Sequence, residues 1–276
     1  MEYLKAGILG LVQGLTEFLP VSSSGHLAIF KNLFGGDFFE ASLTFDILLH
    51  LGTLAAVFAV YYRDIGILIK EFFGMVWDAL RGKPNMKTPY RRLVVMLILG
   101  TIPAAIVGFL IKDFVEEIPS KHLYVVGIGL MITAFLLYIS DRIVSGRKTA
   151  ENAGISSSVF VGLFQAAAII PGISRSGSTI VGGLFAGFGR EFAIKFSFLL
   201  SIPAVLGAAV LDFKDVVGTG FHMPVGPAVF GVAVSAVSGF AAIKFLLKLI
   251  KDKKFHMFSY YCAAAGVLTV VLSIVR

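Results

Sequence analysis

The chain has 276 residues, 57% of them hydrophobic and only 15% charged, with a mean hydropathy of +0.88. Soluble domains carry about 25% charged residues, so the composition excludes an ordinary soluble fold. The net charge of +7 gives no reason to expect nucleic acid as a partner, because the basic residues gather in short stretches between apolar runs. The single cysteine, Cys262, excludes an internal disulfide and a cysteine-based metal cluster, and is expected to be a small core residue.

The first apolar run carries Glu17 and continues into a polar knot, Gln13 to His26, so it is not expected to be a removable signal. Apolar stretches follow at 43–62, 93–111, 122–140, 196–211, 225–247 and 258–275. Most approach the ~17–25 residues of a crossing helix; 196–211 does so if it starts nearer Glu191. Lys and Arg concentrate in 63–92, 142–151 and 244–254, whereas 31–42, 113–121 and 212–224 are neutral or acidic. Placing the basic stretches inside makes the six runs alternate in direction. Segments 1–30 and 155–190 must then enter and leave on one side, the second turning at Pro171-Gly172. Both termini are expected outside.

Two knots share a pattern: Gln13, an apolar run, Pro20 and Ser22-Ser23-Ser24-Gly25; then Gln165, an apolar run, Pro171 and Ser174-Arg175-Ser176-Gly177. Beyond them, Phe45, Leu48, Leu49 and Asp64 match Phe196, Leu199, Leu200 and Asp215 at one offset of 151 residues. Each copy holds three crossings, and an odd number inverts the second. The expected fold is therefore an all-α polytopic membrane protein, an inverted-topology repeat of six transmembrane helices plus two re-entrant helical hairpins. It forms a single domain over 1–276, with repeats 1–145 and 150–276. Such repeats place their site at mid-membrane, where broken helices meet. Gly10 with Gly14, and Gly183 with Gly187, offer small faces for close helix contact.

A charge at bilayer depth costs about 2.5–3.5 kcal/mol and needs a partner. Arg175 can grip phosphate through its planar fork, with Gly172 and Gly177 freeing the backbone, Ser174, Ser176, Ser178 and Thr179 supplying hydroxyls, and a following helix aiming its amides at the anion. The plainer alternative is that Arg175 only locks the hairpins by pairing with Glu17. Glu17 can act as a base, orient His26 or hold a metal, and His26 can exchange a proton near neutral pH. Ser23, three residues before His26, is the nucleophile candidate and Ser22 a substrate-binding candidate; Ser22, Ser23 and Ser24 could each equally serve as helix caps. Gln13, Asp46 and His50 are supporting candidates, the last two sharing one helix face.

Pro171 to Thr179, together with Gln13-x-x-x-Glu17 and Pro-Val-Ser-Ser-Ser-Gly-His at 20–26, resembles the undecaprenyl-diphosphate phosphatase, or bacitracin-resistance protein, family over essentially the whole chain. The resemblance implies hydrolysis of undecaprenyl diphosphate to the monophosphate and phosphate, recycling the lipid carrier of cell-wall synthesis in the bacterial plasma membrane. It implies a site open to the outer face and a divalent cation, Mg2+ or Ca2+. The family's catalytic glutamate, serine, histidine and arginine fall on Glu17, Ser23, His26 and Arg175; Ser174 and Thr179 match hydroxyls of its second motif. The first residue of the acidic motif is Gln13 here, which can be neither a base nor an anionic ligand. Membrane lipid is the other expected partner, and a homodimer is compatible with the sequence. Attack by water instead of Ser23, and a lipid-phosphate flippase built on the same site, are the rival readings.

Overall fold

The computed structural model describes residues 2–34, 43–83, 85–219, 224–249 and 255–275. The connections expected within 35–42, 220–223 and 250–254, and the side chain of Asp215, lie outside the described residues. Those residues form ten helices: α1 Glu2–Phe18, α2 Ser23–Phe34, α3 Leu43–Leu80, α4 Pro89–Lys121, α5 Leu123–Ser140, α6 Ile155–Ala167, α7 Arg175–Phe185, α8 Arg190–Thr219, α9 Val225–Leu249 and α10 Phe255–Val275. Six of them, α3, α4, α5, α8, α9 and α10, are long and apolar enough to cross a membrane. Exposed apolar side chains such as Phe109, Phe135, Val237 and Leu268 coat their outer faces, as a lipid environment requires. This is an all-helical, multi-pass membrane protein.

The long helices outrun the apolar stretches that define them. α3 bends at Tyr61 (φ −110°, ψ 24°) and continues helically through the basic segment to Leu80. Its continuation is tied down: Asp64 accepts hydrogen bonds from Tyr90 on α4 and Lys195 on α8, both at 2.6 Å. Arg190, the first residue of α8, is buried and donates to the backbone carbonyls of Ser140 and Ile143.

The four short helices form two pairs, each joined by a tight turn. α1 and α2 meet through Leu19-Pro20-Val21-Ser22, α6 and α7 through residues 168–174. The helices pair across the halves of the chain: α1 lies along α9, α6 along α4, α3 against α8, and α5 against α10. Gly14 shows how close the first of these is, since a Cβ there would fall 2.5 Å from the Ser235 carbonyl oxygen and 2.9 Å from the Gly239 nitrogen. Gly10 faces Gly231 in the same seam. The second glycine pair behaves differently. Gly183 meets Ala193, but Gly187 lies beyond the end of α7, in a turn at φ +85°.

Overpacking at a tight contact costs about 1–3 kcal/mol. Gly14→Ala is therefore expected to lower the thermal stability of detergent-purified protein by that amount. Gly66→Ala, in open space within α3, is expected to gain about 0.5–1 kcal/mol from helix propensity; equal melting temperatures for the two variants would mean that the α1–α9 seam is not tightly packed at Gly14.

Candidate functional site

The two hairpin turns are built alike. Ser22 precedes α2 and its Oγ accepts a hydrogen bond from the Gly25 amide at 3.2 Å; Ser174 precedes α7 and accepts from the Gly177 amide at 3.1 Å. Each serine satisfies one orphan donor of the first helical turn. The chain must also reverse sharply. In the first hairpin this places Ser22 itself at φ +72°; in the second it places Gly172 at φ +94°, where a Cβ would collide with the Val126 carbonyl of α5. The second turn is pinned by Thr133 on α5, whose hydroxyl donates to the Gly172 carbonyl (3.1 Å) and accepts from the Ser174 amide (2.8 Å).

With both caps in place, the first residue of α2 is Ser23 and the first residue of α7 is Arg175. Both side chains converge on Glu17, at the end of α1. Arg175 Nη2 donates to Glu17 Oε1 in an ion pair whose carboxylate is buried and whose guanidinium side is part-buried, and Ser23 Oγ donates to Oε2 at 2.7 Å. Gln13 Nε2 donates to the same Oε2 at 2.9 Å, one helical turn back. Glu17 is 7% exposed, so an isolated carboxylate there would be costly, and these donors offset its desolvation.

A cleft of about 420 Å³ opens over this cluster, lined by Glu17, Ser22, Ser23, Ser24, Asp46, His50 and Arg175, with Ala204 and Ala208 of α8 opposite. The Nε2 of His50 lies 3.7 Å from Glu17 Oε2. Its Nδ1 faces the Asp46 carbonyl at 2.8 Å. A carbonyl only accepts, so Nδ1 carries the hydrogen and Nε2 turns toward the carboxylate. The hydrogen bond between Asp46 and His50 thus runs through the Asp46 backbone carbonyl.

Not every expected residue reaches the cleft. The anticipated pairing of Ser23 with His26 is not formed. His26 donates from Nδ1 to the Ser22 carbonyl (2.8 Å), and its Nε2 meets the Tyr261 hydroxyl at 2.7 Å, the two rings being stacked. Ser174, Ser176, Thr179, Gly172 and Gly177 are buried and do not line the cleft. The Ser176 hydroxyl bonds the Leu19 carbonyl, tying the hairpins together, and Thr179 bonds Ser197 on α8. Backbone amides of 172–177 were also candidates for gripping an anion. Those of Ile173 and Gly177 are already engaged inside the turn, and that of Ser174 by Thr133 on α5. Sequence reasoning missed Thr133 and Tyr261. The signal for each was one polar atom in an apolar helix, shared with many others.

The donor set does not match a resident metal centre. Among the described residues no three His, Cys, Asp or Glu side chains converge as ligands, and both oxygens of Glu17 are engaged by neighbours.

Fold and site together define a polytopic membrane protein with a cleft in which a guanidinium, a carboxylate and serine hydroxyls meet at the turns of two helical hairpins. The chain belongs to the BacA family: the model described as bacitracin resistance protein BacA matches residues 6–268. It is 45% identical over 276 residues to the undecaprenyl-diphosphatase of Alkaliphilus metalliredigens, covering 99% of this chain and 100% of the relative. It is 43% identical to that of Methanosphaera stadtmanae (100% and 99% covered) and 44% identical to that of Methanobrevibacter smithii (99% and 99%).

Removing one partner of a buried ion pair costs about 3–5 kcal/mol, because the other charge is left uncompensated. Arg175→Met is therefore expected to destabilise the protein by that amount, and adding Glu17→Gln to recover most of it. Unfolding in detergent measures both; strictly additive losses would mean that the two side chains are not coupled.

Proposed function

We propose that this protein is an integral-membrane phosphatase that hydrolyses undecaprenyl diphosphate to undecaprenyl phosphate and inorganic phosphate. The observation that carries this reading is the state of Glu17: one carboxylate oxygen accepts from a serine hydroxyl, the other from a guanidinium, at the wall of a cleft. Full-length similarity to relatives named undecaprenyl-diphosphatase supports the substrate.

Arg175 holds the terminal phosphoryl group and offsets the charge that builds on it during transfer. Glu17 takes the hydroxyl proton of Ser23 as Ser23 Oγ bonds to the terminal phosphorus. The bond from that phosphorus to the bridging oxygen breaks, and undecaprenyl phosphate leaves with the electron pair. Water then cleaves the phosphoserine, restoring Ser23 and releasing phosphate. His50, beside Glu17 Oε2, can pass the proton onward. His26 serves the turn by holding the Ser22 carbonyl. A divalent cation, Mg2+ or Ca2+, belongs to this proposal only as a counter-ion carried on the diphosphate, and no step runs through it.

The prenyl chain has a path. A second cavity of about 720 Å³ runs between α4 and α8, lined by Ala104, Phe109, Pro203 and Leu206 among others, and shares Arg175 with the polar cleft. We assign it to the tail. The repeats span 1–145 and 150–276, and the cleft faces the outer side of the plasma membrane, where the lipid carrier is recycled.

Detergent-purified protein, where no sidedness exists, is expected to release phosphate from undecaprenyl diphosphate; binding without release would favour a carrier. Arg175→Ala is expected to lose about a thousandfold in turnover. Ser23→Ala is expected to lose at least as much and to trap no phosphoserine. Near-full turnover in the serine variant would assign the attack to water.

A further inference from the structure

The repeat supplies Gln13 and Gln165 at equivalent positions, nine residues before the capping serine in each hairpin. Gln13 spends its amide nitrogen on Glu17. The residue equivalent to Glu17 in the second hairpin is Ile169, which can accept nothing. Gln165 is nonetheless only 2% exposed, and neither its Oε1 nor its Nε2 has a hydrogen-bond partner. A buried amide without partners lowers stability, whereas an apolar side chain of the same shape would not. The position is one at which stability is given up.

Gln165 lines the apolar cavity between α4 and α8 but not the polar cleft. Arg175 lines both, and while its Nη2 is bonded to Glu17, its buried Nη1 has no hydrogen-bond partner. Ala168, Ile169, Ala204 and Ala208 also border both spaces. Gln165 and Arg175 both line the cavity that joins the polar cleft at Arg175, and each carries a buried N–H group, Nε2 and Nη1, that is unused within the protein.

We infer that Gln165 is a substrate-binding residue that, with Arg175 Nη1, binds the tail-bearing phosphate of a prenyl diphosphate. The inference rests on the proposed phosphatase reading and deepens it. If the terminal phosphorus meets Ser23 in the polar cleft and the chain lies in the apolar cavity, the phosphate that carries the chain falls at the junction. A neutral amide suits that place, because it can donate to an anion without adding a second negative group there, as glutamate would.

The test compares wild type, Gln165→Leu and Gln165→Glu in detergent. It measures the Kd for farnesyl monophosphate, which keeps only the tail-bearing phosphate, the Kd for inorganic phosphate, and thermal stability. For Gln165→Leu the farnesyl monophosphate Kd is expected to rise about tenfold, as for loss of a hydrogen bond to a charged group. Inorganic phosphate binding should change less than about twofold, and the melting temperature should hold or rise. Gln165→Glu should weaken the prenyl ligand further. Unchanged farnesyl monophosphate binding in both variants overturns the inference, and so does a fall in melting temperature with equal weakening of both ligands, which would make Gln165 a structural residue. The comparison reads binding alone. A wild type that bound farnesyl monophosphate but hydrolysed no prenyl diphosphate would overturn the phosphatase reading and leave this assignment standing.

Discussion

Glu17 and Arg175 are 158 residues apart in the chain and meet inside a shell of apolar helices. Neither charge would be tolerated there alone. Their encounter requires both hairpins to end at the same depth, which demands two tight turns, two helix caps and a close α1–α9 seam. The Ser22 and Ser174 caps, the positive φ of Gly172, the Thr133 hydroxyl and the Ser176 bond to the Leu19 carbonyl all serve that requirement. Most of the polar residues near the site are occupied in positioning a few others.

The two hairpins show how one motif yields two chemistries. The backbone device is the same in both, a capping serine bonded to the amide three residues on. The side chain displayed by that device differs: a hydroxyl at Ser23, a guanidinium at Arg175. A carboxylate exists in one copy only, and both displayed groups bond to it. The asymmetry of the reaction centre therefore comes from point differences within a symmetric frame, and the fold did not have to change to accommodate it.

Much of this was legible because membrane-grade sequence makes polar residues conspicuous. Six crossings, two broken hairpins, the turn at Pro171-Gly172 and the need for Glu17 and Arg175 to find partners all follow from what a charge or an open backbone costs in lipid. The histidines were not legible in the same way. His26 and His50 each bond a carbonyl one helical turn back, so local sequence gives both the same starting geometry. What separates them is the distant Tyr261, which engages one ring, and the cleft, which admits the other. The hydroxyls of Ser174, Ser176 and Thr179 were ambiguous for a related reason: buried hydroxyls satisfy backbone as readily as they bind phosphate. Helix ends were also hidden, since Asp64, Tyr90 and Lys195 hold α3 helical past its apolar run.

The pairing of α1 with α9, and of α6 with α4, bears on how the protein is made. A ribosome delivers α1 first, yet its most extensive neighbour begins only at Val225, close to the end of synthesis. Until then the glycine face of α1 must be covered by lipid, by other nascent helices or by the insertion machinery. Assembly is therefore completed late and as a unit, and a truncated chain lacking its last two helices would leave the first hairpin without the surface that seats it.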